Sequence, residues 1–433
     1  MLLCFTSMTY SRLFTTLRSF VLLGLAAYGL ASCEKEPVDT YYQLQSEPGL
    51  ALLGGNVTTI TKYAPSETIT IFMGYNQTDQ VRDFTIFQVV ANQDSMAVGT
   101  YPVNNPVLDP VSKLLIQPLE YVVPANLANK TAVRVDVTTN FTNGGSRMRR
   151  FTYNVASPPT LKLAATAPVT YRNGLAATAQ SANDLVGYSL VINEGGIATV
   201  PTTPTTSTLF KAVDSLSYFY QIGTQTPVRI GSVRTPTTGA ANTRTIDLRI
   251  PTAATTGQSV QFVFVTYSKP ASSSQPYAAS VVTPAITVAA PTPLPTVRRG
   301  SVSFGPGSSP DSVAFNLKLG LNEPAANAAT AKDLVATGSS AAGITLAVGN
   351  TTRVFQVPAS LVPATYYTQS SANTVGNFVY QNTLVSDLGS ATVGNVYAVK
   401  VRGTAEVMLL RITGVRASTN SSIGRVKFEY RSL

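Results

Sequence analysis

From about Leu50 onward the chain alternates apolar and polar residues with a period of two. Successive side chains of a strand point to opposite faces, so this pattern predicts strands rather than helices. In the first stretch it is carried by residues 57–62, 67–72, 83–89, 113–116, 132–137 and 149–155. Turn-forming residues separate them, notably Asn104-Asn105-Pro106 and Asn143-Gly144-Gly145. Short strands at this spacing predict an immunoglobulin-like β-sandwich over residues 50–157.

A second set at 188–192, 216–222, 228–233, 245–250 and 259–267 predicts another sandwich over residues 158–288. The Thr/Pro tract 201–206 reads as an exposed loop within it, since it cannot form a ladder. Pro291, Pro293 and Pro295 then recur at every second position, so residues 289–299 are expected to form a stiff, extended linker. The last stretch, 300–433, carries strand patterns at 300–304, 313–318, 395–401, 407–412 and 425–430, and is expected to be β-rich with little helix. Its helix candidate is the Ala-rich segment 324–334. The expected fold class is all-β, built from tandem sandwich modules.

Composition supports folded cores rather than disorder: 44% of the 433 residues are hydrophobic and only 12% charged. The apolar run at 20–30 follows Arg12 and Arg18, is too short to span a bilayer, and ends in Leu30-Ala31-Ser32-Cys33. This ending resembles the lipobox of bacterial lipoproteins. The resemblance implies that residues 1–32 are a signal peptide, that Cys33 is the acylated first residue of the mature protein, and that 33–49 form a lipidated tether. Its acidic residues Glu34, Glu36 and Asp39 are similar to the surface-export signal of Bacteroidota lipoproteins. Two acyl signals on one residue suffice for stable anchoring, so the expected partner at this end is the membrane. The expected location is the outer membrane, at the cell surface. Apart from Cys33, the sole cysteine is Cys4, which leaves with the signal, so no disulfide supports the mature fold.

Loss of Arg12 and Arg18 leaves 29 Lys and Arg against 21 Asp and Glu. The densest positive groups, Arg147-Arg149-Arg150 and Arg298-Arg299, lack interleaved aromatics, so nucleic acid is not an expected partner. The chain contains no histidine, which removes Ser-His-Asp and Cys-His catalysis and a conventional zinc site. No Gly-x-Ser-x-Gly elbow and no calcium loop of the Asp-x-Asp-x-Asp-Gly type stand in the sequence. No catalytic residue, metal ligand or cofactor is therefore assigned. A carboxylate-dependent glycosidase would need two acids facing each other across a bond; Glu120, Glu194, Asp214, Glu323, Asp333 and Glu406 are the acids without an evident structural role.

Trp is absent, so stacking on a sugar falls to tyrosine. The doublets Tyr41-Tyr42 and Tyr366-Tyr367 lie in expected loops and are the candidates for exposed stacking. On the strand at 216–222, Leu216, Tyr218, Tyr220 and Ile222 share one face and are expected to pack the core. Asp94-Ser95-Met96, Asp214-Ser215-Leu216 and Asp311-Ser312-Val313 are similar to the Asp-Ser/Thr-apolar acceptor of Bacteroidota O-glycosylation. That resemblance implies exposed Ser95, Ser215 and Ser312.

The order of 315–320, 332–334, 396–400, 408–413 and 427–430 is similar to that of the HmuY-like heme-binding lipoproteins. The resemblance implies a β-rich fold; with no histidine to ligate iron, and Met408 on a hydrophobic strand, it implies no heme. The expected function is non-catalytic: a membrane-anchored display or binding protein for a glycan or protein ligand. The alternative is a nutrient-capture accessory of an outer-membrane transporter, with a glycosidase the third class.

Overall fold

The computed structural model describes residues 49–164, 170–268, 277–305, 308–340, 343–362, 365–417 and 423–433. Strands occupy 51% and helix 8% of the described structure, which is all-β. In the first sandwich, one sheet runs in the order Leu52–Leu53, Thr68–Tyr75, Leu115–Val122, Val107–Leu108. It packs on a second, ordered Lys62–Tyr63, Ser146–Val155, Ala132–Phe141, Val81–Val90, Met96–Pro102. That is the immunoglobulin arrangement, with strands A, B, E and D in one sheet and G, F and C in the other. Alternation explains the core: Val133, Val135 and Val137 point inward with Ile69, Ile71, Phe84 and Tyr121.

The second sandwich repeats the plan. Leu185–Ile192 is flanked by Leu161–Leu163 and Thr170–Tyr171 on one edge and by Asn242–Arg249 on the other. The facing sheet runs Val228–Thr237, Val213–Ile222, Ser259–Ser268, Ala278–Val282. Tyr188, Leu190, Leu216, Phe262 and Phe264 fill the space between them. Tyr218 and Tyr220 are half-buried against that core.

The third sandwich has two five-stranded sheets and an extra layer. Thr296–Phe304, Gly424–Ser432, Val407–Arg416, Val396–Lys400 and Arg353–Gln356 form one sheet; Leu321–Glu323, Ala314–Asn316, Leu334–Ser340, Gly343–Val348 and Asp387–Ser390 form the other. Met408 and Leu410 face the core between the sheets, whereas Val407 and Leu409 face a second cluster with Val375 and Tyr367. The unbroken apolar run at 407–410 therefore reflects a strand buried on both faces.

Three expectations change at this level. The helix lies at Ala372–Gln381, while 324–334 holds only the 3-10 turn Ala329–Ala331 and the start of a strand. The predicted strand at 57–62 starts inside the helical turn Gly55–Thr58, in which only Val57 is buried, and reaches a strand only at Lys62. The proline-rich segment 289–299 is docked: Leu294 is buried with Val375, the Ala289 N–H donates to the Gln180 carbonyl, and a strand begins at Thr296. Proline at alternate positions kept the segment extended, but its apolar side chain found a core.

Candidate functional site

Two seams join the sandwiches, and polar side chains are concentrated at both. At the first, Ser157 and Leu209 continue a ladder between the modules: the Ser157 N–H donates to the Leu209 carbonyl (2.9 Å) and the Lys211 N–H to the Ser157 carbonyl (2.9 Å). Asn129 clamps the same strand, donating to the Leu209 carbonyl (2.8 Å) and accepting from the Leu209 N–H (2.9 Å). This ladder brings Lys211 onto Glu67, with its Nζ 2.5 Å from both carboxylate oxygens and both side chains buried. The rings of Tyr63 and Tyr277 lie 5.5 and 5.1 Å from Nζ. Burial pushes the Lys211 pKa below the usual lysine range, with the Glu67 charge opposing that shift. Gly239 closes the seam at φ +97°, where a Cβ would stand 2.2 Å from the Phe210 carbonyl oxygen.

The second seam is built by Ala372–Gln381. Ser371 caps it, its hydroxyl accepting from the Thr374 N–H at 3.2 Å. Asn373, Gly376, Asn377, Tyr380 and Gln381 fall at i, i+3, i+4, i+7 and i+8, one stripe of the helix. That stripe faces the second sandwich, while Ala372 and Val375 pack on the third. Asn373 and Asn377 donate to the two oxygens of buried Asp184 at 2.5 and 3.1 Å. The Ser181 N–H donates to the same carboxylate at 2.7 Å. Asn377 also accepts from the Leu185 N–H (3.1 Å), and Arg249 donates to Gln381 (2.7 Å). Gly376 permits this approach, since a Cβ there would lie 2.3 Å from the Asn173 carbonyl oxygen.

A cleft opens on each side of this helix. One, of about 350 Å³, is lined by Tyr171, Arg172, Tyr380, Lys400, Val379 and Val407 among others. Gly187 leaves room on its strand for Arg172 to lie flat, with the guanidinium where a Cβ would be. There Arg172 pairs with Asp247 at 3.1 Å, the residue opposite Gly187 in register. The Tyr380 ring sits 4.7 Å from the guanidinium, and its hydroxyl donates to Asp247 at 3.0 Å. The second cleft, about 320 Å³, is lined by Arg249, Asn183, Thr374, Gln381, Tyr366 and Phe378, among others. It is richer in amides.

The sequence-derived candidates are scattered. Cys33, Tyr41 and Tyr42 lie outside the described residues. Tyr366 and Tyr367 form the helical turn Tyr366–Gln369 and are not an exposed loop pair. Tyr367 is buried, its ring between Arg411 (4.4 Å) and Arg431 (6.0 Å), because the sheet beneath it has two apolar faces to cover. Tyr366 is half-buried against Phe378 and reaches the second cleft. Ser95 stands exposed between two strands. Exposure is corrected for the other two serines: Ser215 is half-buried in a strand paired on both sides, and Ser312 is half-buried with its hydroxyl donating to the Ser309 carbonyl at 2.9 Å.

Among the six singled-out acids, Glu194 pairs with Lys162, Asp214 with Arg234, Asp333 with Arg402 and Glu406 with Lys318. Glu323 accepts from Asn316 and Asn327, which hold its carboxyl below the usual range. Glu120 is exposed. The seam residues escaped sequence reasoning because Asp184 and its amide partners lie 189 and 193 positions apart. The Asn/Gly/Asn/Tyr/Gln stripe at helical spacing was the available signal.

Among the described residues no group of three or more Cys, Asp or Glu side chains is placed to hold a metal ion, and no helix is long and apolar enough to cross a membrane. No protein-family model matches the chain, and no curated protein does. Among solved structures, it is similar to a DUF4466 family protein from Parabacteroides merdae at 10% identity and TM-score 0.21, covering 64% of this chain and 100% of that one. A β-glycosidase from Bacteroides vulgatus matches at 11% identity and TM-score 0.16, over 55% of this chain and 25% of that one. Red sea bream transglutaminase matches at 9% identity and TM-score 0.16, over 55% and 31%. Likenesses at these scores carry no argument about family, activity or ligand.

Proposed function

We propose that this chain is a lipid-anchored envelope protein, held in the outer membrane through Cys33 and displaying a non-catalytic binding rod at the cell surface. The observation that supports the reading best is the construction of the seams. Glu67 with Lys211, and Asp184 with Asn373 and Asn377, fix consecutive sandwiches to each other by buried polar contacts. A tethered string of freely jointed modules needs no such contacts; a spacer that presents a surface at a set distance and angle does. The lipobox at 30–33 supplies the anchor in this reading.

A second reading, a nutrient-capture accessory beside an outer-membrane transporter, is favoured by the aromatic clefts beside Tyr380 and Phe378. Both readings need the anchor, so the first test addresses it. Membrane fractionation should place the protein with the outer membrane, and Cys33→Ala should move it out of that fraction. Protease added to intact cells should then cleave it while a periplasmic control survives. An unchanged membrane fraction in Cys33→Ala would remove the anchor claim, and protection from protease would remove surface display.

A further inference from the structure

The cleft beside Tyr380 has an unusual charge balance. Arg172 is neutralised by Asp247, and Arg402, two residues beyond Lys400, is turned inward onto Asp333 at 2.9 Å. Lys400 lines the cleft, is half-buried, and has no ion-pair partner among the described residues. Around it stand two tyrosines, Tyr171 and Tyr380, and two valines, Val379 and Val407. A single uncompensated cation matches one negative charge and not the two of a phosphate monoester. The aromatic and aliphatic lining suits the C–H face of a pyranose, which stacks on tyrosine when tryptophan is absent. A cleft of about 350 Å³ is at the lower end for small-molecule sites, which fits one sugar unit better than a chain of them.

We propose that this cleft is the binding site for a monoanionic sugar, a hexuronic acid unit whose carboxylate meets Lys400 while its ring lies against Tyr380 or Tyr171. The proposal rests on the binding reading above and names the ligand class for it. Seating the site at the seam gives it walls from both modules: Tyr171 and Arg172 from the second, Tyr380 and Lys400 from the third.

The test is calorimetric titration of the full-length protein in detergent with glucuronate, glucose and acetate. Glucuronate is expected to bind saturably and at least tenfold more tightly than either control. Lys400→Gln should weaken glucuronate at least tenfold with an unchanged melting temperature, and Lys400→Arg should restore most of the affinity. Equal binding of glucose would show a site blind to charge, and equal binding of acetate a bare cation; either overturns the proposal. So does absence of saturable glucuronate binding, or full affinity in Lys400→Gln. None of these outcomes touches the Cys33→Ala fractionation, so failure of the ligand and failure of the anchor are read separately.

Discussion

The two seams solve one problem with different chemistry. At the first, opposite charges neutralise each other in a buried setting beside the rings of Tyr63 and Tyr277. At the second, a buried carboxylate is satisfied by neutral amides from a helix, and open clefts remain on both flanks. A lysine ammonium on its flexible stem can turn its three donors onto a carboxylate, whereas amide donors must be aimed at each oxygen by the element that carries them. The first seam is therefore a closed joint and the second is a joint that also leaves clefts. The difference lies in the helix: its stripe is polar toward one sandwich and apolar toward the other, so clefts form wherever it stops short of either.

The first seam is the more sensitive of the two to loss of one side chain. Lys211→Met strands a carboxylate with no exposure, and loss of one partner of a buried pair costs about 3–5 kcal/mol. A fall of roughly 10 °C in melting temperature is expected for the first two sandwiches. Adding Glu67→Leu should recover most of it, since an apolar replacement of the whole pair is tolerated. An undiminished melting temperature in Lys211→Met would mean that this seam is not closed in solution.

At the second seam the corresponding break is steric. Gly376→Ala drives a methyl onto the Asn173 carbonyl and should cost about 1–3 kcal/mol as an overpacked contact. The expected readout is new protease cleavage near 289–295 with the first seam unaffected. Asp184→Asn keeps the shape but turns one acceptor into a donor facing Asn373 or Asn377, for a loss of about 1–3 kcal/mol. Recovery of either variant by salt would contradict the buried geometry, because screening acts mainly on exposed charges.

A smaller effect separates the cores from the seams. Burial holds the phenols of Tyr153 in the first sandwich and Tyr188 in the second far above the ordinary tyrosine value of 10.0. An unfolded chain loses these protons near pH 10 while the folded one keeps them, so stability is constant below that pH and falls as pH rises beyond it. Absorbance titration at the phenolate band should show one tyrosine class ionising early and another only with cooperative unfolding. The smallest effect is expected for Arg249→Ala, which removes exposed hydrogen bonds to Gln381 and the Asn183 carbonyl and should change stability by about 1 kcal/mol or less.

How far the sequence carried is clear from particular elements. Alternation at 132–137 and 259–267 marked strands that the fold contains, because half-buried strands imprint their faces on the chain. The edge strand Met96–Pro102 left no such mark, being exposed along most of its length. The helix Ala372–Gln381 was invisible to propensity: Asn, Gly, Val, Phe and Tyr are weak helix formers, and it persists because tertiary packing of both its faces overrides that preference. The clefts were beyond reach for the same reason, since each takes its walls from segments about 200 residues apart.

The amide stripe that completes Asp184 also sets an order of events. As the chain emerges N-terminus first, the second sandwich is complete long before Asn373 and Asn377 follow, so until then its buried carboxylate is met only by Ser181 and water. Glu67 waits likewise for Lys211, 144 residues later. Each of the first two modules is thus born with an acid that only its successor fully pairs, and a truncated product would display that acid to water.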